Sequence, residues 1–84
     1  MTGKAKRWYW LTEDDLLRLA DYSAYPGADE AAEKVRKIKD SANTPAIYYT
    51  EFSGFRILNE DDPEQFEISR SIRSSAKRFP IKMF

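Results

Sequence analysis

Eighty-four residues with no cysteine and no histidine must be stabilised by packing, because neither a disulfide nor a thiolate–imidazole metal staple can be built. The same two absences remove the best nucleophile and the usual proton shuttle, so the chain is read as non-enzymatic. Fourteen basic residues balance fourteen acidic ones, which argues against a general polyanion binder, and no apolar run approaches the roughly 20 residues of a membrane-spanning helix.

Residues 1–6 are small and basic and read as a flexible tail; residues 7–84 are expected to form one α+β domain. Arg7 to Leu11 is rich in aromatics and predicts a strand with Trp8 and Trp10 on one face. Thr12 then reads as a helix N-cap whose hydroxyl accepts from the amide of Asp14 or Asp15. Glu13, Asp14 and Asp15 complement the positive end of the helix dipole. Leu16, Leu17, Leu19 and Ala20 supply the apolar side, and Tyr25-Pro26-Gly27 ends the element.

A second helix is predicted from about Asp29 to Ser41, with Ala31, Val35, Ile38 and Ala42 at helical spacing. Glu30–Lys34 and Glu33–Lys37 are i,i+4 pairs in the favourable order. Asn43-Thr44-Pro45 stops it. Ala46 to Phe52 favours extended backbone, Ser53-Gly54 resembles a two-residue turn, and Phe55 to Leu58 returns. That register sets Phe52 opposite Phe55 and Glu51 opposite Arg56. Apolar groups on both faces of these strands predict a central hairpin.

Asp62-Pro63-Glu64-Gln65 has the form of a capping box with proline at the first helical position. A third helix is therefore expected from Pro63 until Pro80 stops it. Ile68, Ile72, Ser75, Ala76 and Phe79 share one side of it, and Arg70, Arg73 and Lys77 the opposite side. The alternation Phe66, Ile68, Arg70, Ile72 also fits a strand over residues 65–72, and residues 81–84 suit a short closing strand or docked tail. The expected fold is a small α+β domain, β-α-α-β-β-α with a short final strand, an antiparallel sheet packed against helices.

Charge is sorted along the chain. Residues 46–67 hold one arginine against six acids, net −5, and residues 68–84 hold five bases and no acid, net +5. Arg70, Arg73, Lys77 and Arg78, with Glu60 and Asp61, are the candidate partner-binding residues, since guanidinium groups grip carboxylate or phosphate bidentately. The plainer accounts are a solvated helix face, or cations folded back on Glu60, Asp61 and Asp62. The acidic loop lacks the alternating ligands and central glycine of a Ca²⁺ loop, so helix capping explains it better and no metal is expected. Lys4, Lys6 and Arg7 beside Trp8 and Trp10 suggest a stacking platform for single-stranded nucleic acid, against the simpler account that the rings pack in the core. The glycines stand isolated at positions 3, 27 and 54, which leaves no phosphate loop, and no cofactor is expected.

No stretch carries a family motif. The first functional reading is a protein-binding module that acts by occupying a partner's surface, an inhibitor of the kind phages and mobile elements encode. The second is a nucleic-acid-binding accessory protein using the basic C-terminal segment. A third is a homo-oligomer in which oppositely charged segments of different copies meet. The absence of cysteine and of any leader or span makes the cytoplasm the expected compartment.

Overall fold

The computed structural model describes residues 7–21 and 25–80. Tyr9–Leu11 (β1) leads to two helices, Glu13–Ala20 (α1) and Ala28–Asp40 (α2). A hairpin of Pro45–Thr50 (β2) and Gly54–Asn59 (β3) follows, then Pro63–Arg73 (α3) and the two-residue strand Lys77–Arg78 (β4). The sheet order is β3-β2-β1-β4, antiparallel except for β4, which runs parallel to β1. The α+β class, the first six elements and a mostly antiparallel sheet packed against helices are as the sequence predicts; β4 is the parallel exception.

Local chemistry accounts for the starts of α1 and α3. The Thr12 hydroxyl accepts from the Asp15 amide at 3.1 Å, and the Thr12 amide donates back to the Asp15 carboxylate at 3.3 Å, a closed capping box. Asp62 caps α3 by accepting from the Glu64 amide at 3.0 Å. Gln65 does not return to the Asp62 amide; its side-chain oxygen accepts from the Asn59 amide at 2.8 Å and so ties α3 to the end of β3. At the end of α2, Ala42 lies beyond the helix rather than on its apolar side. There it takes φ 63° while Asn43 and Ala42 donate to the carbonyls of Ile38 and Lys39. This is a Schellman stop with alanine where glycine is usual.

Side-chain alternation in the sheet builds two cores. Tyr9, Leu11, Ile47, Tyr49, Phe55 and Ile57 point to one side, where α1 and α2 cover them with Leu16, Leu19, Ala28, Ala31 and Val35. Trp8, Trp10, Ala46, Tyr48 and Leu58 point to the other, where α3 contributes Ile72.

The hairpin and the C-terminal segment depart from expectation. The hairpin pairs Thr50 with Gly54 and Tyr48 with Arg56, so Phe52 and Glu51 sit in the loop instead of facing Phe55 and Arg56. Gly54 at φ 77° supplies the left-handed residue that the longer turn needs, and Phe52 is left 72% exposed. The hairpin is not wholly central either: β2 lies inside the sheet but β3 is an edge.

The C-terminal segment leaves the helix early. The helix stops at Arg73, not near Pro80. Lys77 and Phe79 donate to the carbonyls of Trp8 and Trp10 at 3.1 and 3.0 Å, and Phe79 enters the core on the α1/α2 side. Burying that ring among Tyr9, Tyr25 and Tyr49 outweighs the modest helix propensity of Ser74 and Ser75. The short final strand is therefore Lys77–Arg78; the expected strand at 81–84 and the basic tail at 1–6 lie outside the described residues. Within α3 the inward row is Gln65, Ser69, Ile72 and the following Ala76, with Ser69 fully buried, so Ile68 and Ser75 face outward contrary to expectation.

Candidate functional site

The acidic loop is occupied by the fold itself. Asp61 accepts from the Thr44 amide at 2.8 Å and Asp62 caps α3. Glu60 accepts from the Ser69 hydroxyl at 2.8 Å, and the Tyr48 hydroxyl lies 2.7 Å from the same serine oxygen. Because the Ser69 proton goes to Glu60, Tyr48 is the donor in that second bond. The result is a relay, Tyr48 to Ser69 to Glu60, that ends on a carboxylate and pins α3 to β2. Glu60 and Asp61, candidate partner-binding residues by sequence, thus each hold part of the tertiary structure. Among the described residues no group of three or more acids is placed to hold a metal.

The basic residues divide into two sets. Arg78 donates to Asp15 at 2.8 Å, and its guanidinium carbon lies 5.0 Å from the centre of the Trp10 ring. Asp15 is nearly buried and is also the carboxylate of the α1 capping box, so Arg78 clasps β4 to the start of α1. That partner was not legible in sequence: the two residues stand 63 positions apart. Arg70 reaches only Glu67, at 4.0 Å with both side chains about 70% exposed, a pair of negligible net strength. Arg7, Arg73 and Lys77 are exposed and make no ion pair among the described residues.

The structure does not bring Arg70, Arg73 and Lys77 onto one helix side. Lys77 sits on β4, where alternation puts it with Tyr9 and Phe79 on the α1/α2 side. Arg78 falls on the α3 side with Trp10. Residues 66, 70 and 73 lie along one flank of α3 at about 100° per residue, and Ile68 lies along the other. Ser69, next to the first flank, reaches Tyr48 of β2, so Phe66, Arg70 and Arg73 lean towards β1 and its tryptophans, and Ile68 towards the β3 edge.

Phe66 and Ile68 are 41% and 40% exposed; helical periodicity puts Phe66 on the charged side, as found, but it also puts Ile68 among the core positions, where it is not. Trp8 and Trp10 are half-buried against Ala46, Tyr48, Leu58 and Ile72, so packing accounts for most of their surface. Lys4 and Lys6, candidate nucleic-acid contacts with Arg7, lie outside the described residues. No helix among the described residues is long and apolar enough to cross a membrane.

The chain matches no protein-family model, no curated protein and no solved structure, so what it does has to be argued from its own surface.

Proposed function

We propose that this protein is a non-enzymatic binding module whose contact surface is the outer flank of α3, formed by Phe66, Arg70 and Arg73 beside the half-buried Trp8 and Trp10. The partner it fits is a protein with an acidic surface that offers an apolar hollow for a ring. One observation carries the reading: α3 leaves Phe66 in solvent next to two arginines that have no strong acceptor of their own. Aromatic and arginine side chains are the residues that protein interfaces concentrate at their energetic centres. These solvent-exposed arginines would steer an acidic partner and fix its orientation, while the ring would supply the desolvated anchor. An inhibitor acting by surface occupancy would work this way.

Single-stranded nucleic acid is the less favoured occupant. A stacking platform needs open ring faces, whereas the Arg78 guanidinium lies over Trp10 and both indoles pack on the sheet. Zero net charge adds no long-range attraction for phosphate.

Affinity capture from the native host, with crosslinking, tests the proposal through three forms of the chain: wild type, Phe66→Ser/Arg73→Glu, and Leu17→Ser as a control at an exposed apolar position on α1. An acidic protein captured by wild type and control but lost from the double variant is the expected result. Equal recovery by all three removes the α3 flank as the interface. Titration of labelled single strands at about 50 and 200 mM salt covers the other class, since phosphate contacts weaken steeply over that range.

A further inference from the structure

The outer edge of β3, the end strand of the sheet, leaves a short row of backbone groups open. The bonds of Lys77 and Phe79 to the carbonyls of Trp8 and Trp10 fix which way each strand residue points its peptide groups. Trp8 and Trp10 face β4, so Tyr9 and Leu11 face β2; Tyr49 and Ile47 answer them, and Ala46, Tyr48 and Thr50 face β3. On β3 it follows that Gly54, Arg56 and Leu58 bond inward, and Phe55, Ile57 and Asn59 point outward. The Glu60 amide bonding to the Thr44 carbonyl agrees with this parity. Asn59 is closed off by the Gln65 side chain. What remains is a window of two residues, Phe55 and Ile57, with both peptide N–H groups and both carbonyls unmatched among the described residues. Arg56 stands at its centre, exposed and without an ion pair among the described residues.

Unpaired edge groups are a template for strand addition. We infer that β3 accepts an extended antiparallel segment of a partner protein, with a carboxylate side chain opposite Arg56 flanked by apolar residues whose peptide groups bond to Phe55 and Ile57. Charge decides against a second copy of this chain. A two-fold axis at Arg56 would satisfy all four free groups but would set Arg56 against its own counterpart, and like charges directly opposite are destabilising. An axis one residue along, at Ile57, would need the Asn59 amide, which Gln65 holds. An aspartate or glutamate at the central position meets every free group and the unpaired guanidinium together. This inference stands on β3 alone and does not need the α3 surface.

The full chain, labelled with ¹⁵N, tests it with two blocked peptides, Thr-Val-Glu-Val-Thr and the same peptide with lysine for glutamate. With the glutamate peptide, hydrogen exchange at the Phe55 and Ile57 amides is expected to slow, with the lysine peptide binding about fivefold more weakly. Arg56→Glu, a change at an exposed position, should reverse that preference. Three results would overturn the inference: exchange at both amides unchanged by millimolar glutamate peptide, a preference untouched by Arg56→Glu, or protection that rises with the protein's own concentration and so identifies a second copy as the occupant.

Discussion

On the α1/α2 side of the sheet, Leu16, Leu19, Ala28, Ala31 and Val35 are all buried around Phe79; on the α3 side the deepest helix residue is a serine, bonded to a tyrosine and a glutamate. The first side is held by apolar area, which is insensitive to direction. The second is held by a directional relay over a small apolar cluster of Ala46, Tyr48 and Leu58. A helix attached by a few directional bonds needs little of its own apolar surface for docking. That is why α3 can keep Phe66 and Ile68 in solvent while α2 keeps no large apolar residue exposed. Most of the buried apolar area lies on the α1/α2 side, where Leu17 is the exposed large apolar residue among the described residues.

The largest expected effect tests that division directly. Leu16→Ala, at a fully buried site, should cost about 3 kcal/mol, and Ile72→Ala on the α3 side about half as much, by denaturant unfolding. Equal losses would mean that the small cluster stabilises as strongly as the large one. Ser69→Ala removes the nearer acceptor of the Tyr48 hydroxyl, which keeps the residue-69 carbonyl at 3.2 Å, and the donor to Glu60, with an expected cost of about 1 kcal/mol. A loss of only a few tenths would show that packing, not the relay, holds α3.

Thr50 sharpens the contrast from the opposite direction. Its side chain is fully buried on the α3 side and its hydroxyl has no hydrogen-bond partner among the described residues. Thr50→Val is therefore expected to raise stability, by about 1 kcal/mol. A loss on unfolding would mean that the hydroxyl is satisfied by solvent.

The smallest effect belongs to alkaline pH and to the α1/α2 side. Burial raises the Tyr49 pKa, with Tyr25 and Glu51 adding to it, and a hydrogen bond and ion pair with Glu13 raise that of Lys39. Both folded-state values lie above the unfolded ones, so the stability they contribute is complete below about pH 10 and is lost as pH rises through the folded values. Thermal unfolding followed from pH 8 to 11.5 should show this decline, less steep in Tyr49→Phe. An unchanged slope in that variant would exclude Tyr49 as a source.

Much of this fold was legible residue by residue. Caps at Thr12 and Asp62, the apolar spacing Ala31–Val35, and the β-favouring run around Ile47–Tyr49 are local signals, set by backbone donors and side-chain period within a few positions. The end of α3 was not local. Residues 74–79 are tolerable helix formers, and only the open edge of β1 and the aromatic hollow around Phe79 draw them into an extended path. The hairpin register likewise turned on one left-handed glycine and on pairing across the whole sheet.

The candidate surfaces follow the same rule. The amino-acid order alone established that Arg70 and Arg73 lie in a basic stretch and that the acids precede it. Long-range contacts decided which charged groups remain available, because a carboxylate or guanidinium is engaged by whatever donor or acceptor the fold sets within hydrogen-bonding distance of it. Arg78 went to Asp15, Glu60 to Ser69 and Asp61 to the Thr44 amide. Arg56, Arg70 and Arg73 kept their charges exposed to solvent.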